Sequence, residues 1–492
     1  MSARGWSKMI GSPWTWVAFC LLTRTIFLLT LFHGADAGLL ARHDSSERSS
    51  SIKALTYYNR RTELRPLTED EHNYDEMAAN IVAGRGFVLD SHWIVNTPHE
   101  PTMYAGCFYP LFVAAVYSVT GSGHELPVFL LQILLHSLAV WPLWQVSRRV
   151  GGPLAATLTA GFYALHPTLL WCSAAMMSES ITLPFTALLA WLMIPGDAAR
   201  LDAGNTVRTT APLDAESRNL RKEWRRCVAL AAVLAILCLT RSTCFGLAGI
   251  SAVVLWHQHF SRMTPGTPGR YIAALRGPIV MLLLFAILCA PWTIRNYIHW
   301  HRFIPFSTKS GVNAWFFNHP GQKVEFSRRI FEGINPVDVL SPAIQDLPDE
   351  ATRDARSMSL FLDFLKRDPW HVLGLIWMRF WIAVLPVSIT WNTTVSIVGA
   401  WYAKGVPLLV AVLAVWRLRI SAIAAATYPW LLSMFYWLAI QSLAGPGLRY
   451  RLPVEPFYAC MVGVVGAAVI GTWRRPATRC DTARAQTNIK KS

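Results

Sequence analysis

A chain of 492 residues with 53% apolar, 12% aromatic and only 15% charged side chains is too apolar for an ordinary soluble domain and reads as an integral membrane protein. Its net charge of +16 sits mostly at the ends of apolar runs, which points to topology and anionic lipid and away from nucleic acid. The nine cysteines lie mostly inside those runs, with only Cys107 clearly in an outer loop, and they show neither a disulfide framework nor zinc spacing.

In chain order the apolar runs fall near 13–33, 126–146, 153–173, 178–195, 227–241, 243–258, 277–293, 398–416, 421–441 and 454–472, with a further stretch at 371–390. Each is near the roughly 17–25 helical residues that cross a hydrocarbon core, so the expectation is an all-α bundle of about ten to eleven transmembrane helices. The first run lacks a convincing small-residue cleavage site around Ala35-Asp36-Ala37 and reads as a retained anchor. No internal repeat is visible, and residues 1–492 read as a single domain.

Basic residues near span ends tend to stay in the cytoplasm. Arg4 and Lys8, Arg148-Arg149, the run Arg218 to Arg226, Arg262 to Arg276, Arg417 with Arg419, and Arg474-Arg475 all fall on one side if the spans alternate. Both termini, the loop 196–226 and the tail 473–492 are then cytoplasmic. Residues 34–125, the turn at Ser178-Glu179, residues 294–370 and the turn Gly445 to Pro456 face the opposite compartment.

The first outer loop concentrates carboxylates in an otherwise basic chain: Asp70-Glu71-His72-Asn73-Tyr74-Asp75-Glu76. Tyr74, Met77, Ala78 and Ile81 recur on one helical face, which predicts a helix over 70–83 lying along the membrane surface. Gly84-Arg85-Gly86 ends it, because Gly takes the positive φ of a helix C-cap. Asp70 at the helix start is kept ionised by unpaired backbone N–H groups and the helix dipole; it is read either as a chemical group or as an N-cap alone. Tyr109 to Tyr117 is apolar but too short to span and predicts a second surface helix. Arg24, Glu179 and Arg241 lie in or near apolar runs, where charges are costly; they read equally as functional groups or as a structural network.

Five segments in this order carry a resemblance to the GT-C superfamily of polytopic glycosyltransferases: Asp70-Glu71-His72-Asn73-Tyr74 through Gly84-Arg85-Gly86-Phe87; 101–112, with Pro101-Thr102-Met103-Tyr104 and Tyr109-Pro110-Leu111-Phe112; Ser178-Glu179; Pro291-Trp292-Thr293-Ile294-Arg295-Asn296-Tyr297 continuing to Ser307-Thr308; and Arg449-Tyr450-Arg451-Leu452-Pro453-Val454-Glu455-Pro456. The nearest branch resembles the bacterial glycosyltransferase family 39-like proteins, relatives of the protein O-mannosyltransferases and of the aminoarabinose transferase that modifies lipid A. Cys107 and Phe108 depart from that pattern, standing where relatives often have another Pro.

The resemblance implies transfer of a sugar, with inversion, from a polyprenyl-phosphate donor to a lipid, glycan or protein acceptor on the outer face of the membrane. Asp70 matches the family's catalytic aspartate and would take the acceptor proton, with Glu71 orienting the acceptor or tuning Asp70. Arg295, Arg449 and Arg451, with Tyr450, would hold the leaving phosphate, and Tyr74, Asp75 and Glu179 would support the acceptor or the fold. No cofactor is implied and His72, His92, His99 and His319 have no ligand spacing, although a divalent metal stays open. The branch implies a bacterial inner membrane with a periplasmic active site. A flippase of lipid-linked saccharides is the rival reading, weakened by the lack of two repeated halves with interrupted helices.

Overall fold

The computed structural model describes residues 11–39, 69–89, 100–195, 213–266, 268–322, 344, 347–385, 398, 401–417, 420–444 and 448–473. The linker at 196–212, part of the outer loops, the turn 445–447 and the tail beyond 473 lie outside the described residues.

The helices are α1 Pro13–Leu39, α2 Glu69–Val82, α3 Phe108–Thr120, α4 Glu125–Leu138, α5 Val140–Ala164, α6 Pro167–Ser173, α7 Glu179–Met193, α8 Leu213–Thr240 and α9 Phe245–Arg262. They continue with α10 Arg270–Ala274, α11 Arg276–Trp300, α12 Ser310–Asn318, α13 Glu350–Arg367, α14 Pro369–Val384, α15 Val406–Arg417, α16 Ile420–Ala444, α17 Leu448–Arg451 and α18 Glu455–Trp473. Among the described residues the only β pairing is an isolated bridge between Val88 and Pro101.

Five helical stretches in those residues are long and apolar enough to cross a membrane: Pro13–Thr30, Glu125–Ala164, Arg270–Trp300, Ile423–Leu443 and Leu452–Gly471. With the shorter apolar helices between them, they make the chain a multi-pass membrane protein.

The 40-residue stretch Glu125–Ala164 is two arms that fold back along each other. Gly152 breaks it with φ 80° and ψ −173°, and Thr159 Oγ1 donates back to Ser147 Oγ at 2.8 Å. Cys20 and Arg24, one turn apart on α1, contact the His136 and Ala164 carbonyls respectively. Two carbonyls 28 positions apart meet the same turn of α1 only if the chain has doubled back. The run expected at 153–173 is shorter than its sequence: it stops at Ala164, and Pro167 opens the separate helix α6. Proline cannot donate to a helix passing through it and disfavours helical geometry at His166 before it. Helix α7 has 15 residues, and the first half of α8 is charged, so these two fall short of a full span on length or composition while packing inside the bundle.

Helix α2 follows the expected pattern. Tyr74, Met77 and Ala78 are buried, and Ile81 packs against them. Arg85 N–H donates to Asn80 O and Gly84 N–H to Ile81 O, with Gly84 at φ 76°, which is a Schellman stop. Helix α3 lies against α2 through the edge-to-face rings of Tyr74 and Tyr109, 4.7 Å between centroids, and a 2.5 Å hydrogen bond from Tyr117 OH to Asp75 Oδ1. Tyr109 OH donates to Gln132 Oε1, and Gln132 in turn donates to the Ser173 and Ala175 carbonyls, tying this pair to the bundle.

The end of α11 explains the Pro-Trp-x-x-Arg-Asn-Tyr pattern. Trp292 Nε1 donates to Phe306 O at 2.7 Å and Asn296 Nδ2 to Ile304 O at 3.0 Å. These two side chains, one turn apart, fold residues 301–308 back along the helix that carries them. Thr308 N–H then meets Met103 O at 3.2 Å, which delivers the next residue, Lys309, to the α2 helix.

Candidate functional site

A cavity of about 290 Å³ opens at the N-terminal end of α2, at the small end of the range for ligand pockets. Its wall includes Asp70 and Tyr74 from α2, Tyr104 to Gly106 from the segment before α3, Ser178, Thr240 to Thr243, Lys309, Asn313, and Trp437, Gln441 and Tyr450 from the far end of the chain.

Asp70 stands in the first turn of α2, where helix N–H groups and the dipole favour a carboxylate. Lys309 Nζ lies 3.6 Å from Asp70 Oδ1 and 3.7 Å from the centre of the Tyr104 ring. Asp70 and Tyr74 are four residues apart and share the face that meets the cavity.

Glu71 stands about 100° further round α2. Its side chain is buried, and Oε1 accepts the Met176 N–H at 2.9 Å, so it holds the connection between α6 and α7 and does not line the cavity. Asp75, one turn beyond Glu71, joins α2 to α3 through Tyr117.

The charged residues of the apolar runs are brought to the same place. Arg241 Nη1 lies 2.5 Å from the fully buried Glu179 Oε1 and donates to Ser178 Oγ at 3.2 Å. Helix α8 ends at Thr240, so Arg241 emerges at the cavity wall with its ion pair beneath it. Glu179 is thus the partner that fixes an arginine, and Arg241 belongs to the site.

Of the four residues expected to hold phosphate, the structure brings Tyr450 to the cavity. Its backbone carbonyl accepts from Trp437 Nε1 at 2.6 Å. Arg295 packs against Phe87, Trp292 and Trp300, and donates to Thr102 O at 3.1 Å, bracing the wall from behind. Arg451 is buried elsewhere: it pairs with Glu455 at 2.8 Å and donates to Ala403 O at 2.5 Å. The Arg449 side chain lies outside the described residues.

Two further carboxylates position the walls from α13. Glu350 accepts Met103 N–H at 2.5 Å and Thr102 Oγ1–H at 2.7 Å. Asp354, one turn on, accepts Gly311 N–H at 2.7 Å and Val312 N–H at 2.9 Å. Burial pushes the Glu350 carboxyl up to about 7 and the Asp354 carboxyl up to about 6, with these hydrogen bonds opposing the shift. Among the described residues no group of three or more His, Cys, Asp or Glu side chains is placed to hold a metal ion.

Residues 105–198 match the model of the family described as dolichyl-phosphate-mannose-protein mannosyltransferase. The matched stretch contains Gly106, Ser178 and Glu179 but stops short of Asp70 on one side and Arg241 on the other. No curated protein sequence matches the chain. Among solved structures, the archaeal oligosaccharyltransferase AglB from Archaeoglobus fulgidus, in complex with an inhibitory peptide and a dolichol-phosphate, aligns at 14% identity over 86% of this chain and 48% of its own, with a TM-score of 0.42. The chain therefore spans about half the length of that protein. ArnT from Cupriavidus metallidurans bound to undecaprenyl phosphate aligns at 17% identity over 85% of this chain and 75% of its own, with a TM-score of 0.33.

Proposed function

We propose that this chain is a membrane glycosyltransferase of the GT-C type, moving a sugar from a polyprenyl-phosphate donor to an acceptor hydroxyl, with Asp70 as general base. The observation that carries the reading is the cavity itself, which sets one helix-start carboxylate beside Lys309 in a wall shared with Arg241, Tyr104, Tyr450 and Trp437. The name of the family matched at 105–198 supplies the matching class of donor, a sugar on a lipid phosphate.

In the proposed step Asp70 takes the proton of the acceptor hydroxyl as its oxygen bonds to the anomeric carbon. The bond from that carbon to the phosphate oxygen breaks, and its electron pair leaves with the polyprenyl phosphate. Lys309 and Arg241 meet the charge that develops there, since fixed cations in a partly desolvated site act most strongly on charge that appears in the transition state. Arg241 is preset by Glu179 and Ser178, so little reorganisation is needed. Attack from the face opposite the phosphate inverts the anomeric centre. Tyr104, Tyr450 and Trp437 offer ring faces and polar edges to the sugar.

The cavity is assigned to the outer, periplasmic face of a bacterial inner membrane, with both termini cytoplasmic. Helix α7 supports this, running from the cavity at Glu179 to the basic end of the bundle at Met193, roughly 22 Å for 15 residues.

The test uses the full chain in vesicles loaded with a panel of radiolabelled polyprenyl-phosphate sugars. Label appearing in an acceptor fraction supports the reading. Donor crossing the bilayer with no transfer to any acceptor would replace it with a flippase.

A further inference from the structure

A second cavity, of about 690 Å³, lies at the opposite end of the α7 and α8 pair, between the start of the membrane-buried part of α8, the Gly152 break of α5 and the ends of α7 and α9. Five cationic side chains line it, Arg149, Lys222, Arg225, Arg226 and Arg262, against one carboxylate, Glu223. Excess positive charge at span ends is common and by itself needs only solvent. Here the cations are held around a hollow.

Arg226 forms its floor, donating to the Leu192 and Met193 carbonyls at 2.7 and 3.0 Å and to Gln258 Oε1 at 2.8 Å. These contacts cap the end of α7 and fix the guanidinium beneath the opening. The Arg149 guanidinium lies 5.3 Å from the centre of the Trp191 ring, and Arg262 pairs with Glu223 at 2.5 Å. The remaining wall is apolar, with Trp191, Ile194 and Ala229, and Trp224 stands in the same turn of α8, between the lining residues Glu223 and Arg225, 54% exposed, as tryptophans do at a membrane–water interface.

We infer that this cavity binds the phosphate headgroup of an anionic phospholipid in the leaflet opposite the Asp70 cavity. The phosphate oxygens meet the fixed guanidinium groups, for which they are the natural bidentate partners. The acyl chains leave along the apolar wall. A soluble phosphate shares the headgroup chemistry but gains nothing from Trp191, Ile194 and the exposed Trp224, which is why the lipid is the assigned occupant. The inference does not rest on the reading of the Asp70 cavity.

The test compares the full-length protein with two triple variants, each losing three charges from the same end of the bundle. Arg149→Gln, Lys222→Gln and Arg225→Gln strip the cavity wall, whereas Arg148→Gln, Arg221→Gln and Arg276→Gln remove residues that do not line it. Each protein is confirmed monodisperse by size exclusion. It is then reconstituted in nanodiscs of phosphatidylcholine with trace phosphatidylglycerol, and retained phosphatidylglycerol is measured by native mass spectrometry.

Losing three charge-assisted partners of the phosphate, the cavity variant should retain phosphatidylglycerol at least roughly a hundredfold less tightly, whereas the control variant, which loses only general surface attraction, should lose far less. Equal loss in both variants would reduce the effect to general surface charge and overturn the site. Thermal stabilisation of the lipid-free protein by inorganic phosphate, equal to that given by phosphatidylglycerol, would assign the cavity to a soluble anion and overturn the lipid.

Discussion

Replacing Glu350 by Gln should remove the upper part of the pH dependence of stability. This carboxyl is 6% exposed and joins α13 to Thr102 and Met103 beside the cavity. Burial raises it from 4.5 to about 7, while its hydrogen bonds and the Arg295 and Arg353 guanidinium groups pull in the opposite direction. A carboxyl raised on folding binds its proton more tightly in the native chain. Its stabilising contribution is therefore complete below the unfolded value of about 4.5 and is lost as the pH climbs through about 7.

That interval corresponds to roughly 3 kcal/mol, an order-of-magnitude figure at 1.36 kcal/mol for each tenfold change in proton affinity. Asp354, raised from 3.8 to about 6 by burial, acts with the same sign at lower pH. Thermal unfolding in detergent, followed by tryptophan fluorescence from about pH 5 to about pH 8.5, should show the wild-type midpoint falling up to about pH 7 and levelling off above it. The Glu350→Gln protein should fall only through the Asp354 range, near pH 6, and be the more stable of the two at the alkaline end. Parallel curves, or a wild-type midpoint that climbs with pH over this interval, would refute the reasoning.

Three further outcomes follow from the geometry. Arg241→Gln strands the buried Glu179 carboxylate and should cost roughly 3–5 kcal/mol in unfolding experiments, part of which returns in the Arg241→Gln, Glu179→Gln double variant. Gly106→Ala would place a Cβ 2.2 Å from Leu239 O and 2.7 Å from Thr240 O, backbone atoms that cannot swing aside, so its yield of folded protein and thermal midpoint should drop by the equivalent of about 1–3 kcal/mol or more. Lys309→Met removes a charge-assisted contact to the leaving phosphate and should lower transfer by roughly ten- to hundredfold in kcat/KM, with the thermal midpoint little changed.

Much of this was legible in the chain. The apolar runs, the one-faced apolar pattern of 74–81 and the Gly84-Arg85-Gly86 stop are local signals, and local signals survive folding. The break between Ala164 and Pro167 was also written in the sequence, as a proline inside an apolar run. What did not show was which charge faces which neighbour. Glu71 adjoins Asp70 in sequence and reads with it as part of the chemistry, but a 100° step on a helix separates their directions, and the structure turns Glu71 to the Met176 N–H.

Arg451 followed the same rule. Glu455 stands one helical turn away, a spacing that marks an internal ion pair, and the structure buries both. Lys309 immediately follows the Ser307-Thr308 segment that carried part of the resemblance, yet nothing local reveals that Trp292 and Asn296 fold that segment back toward α2. Arg241 and Glu179 lie 62 positions apart, and their pairing is a product of helix packing.

The most direct measurement is donor binding and single-turnover sugar transfer for Asp70→Asn beside the wild type, at matched expression in the same vesicles. Asn keeps the shape and loses the base, so transfer should fall by about 10²–10⁴ while the donor still binds. Transfer at the wild-type rate would remove Asp70 from the chemistry and contradict the account.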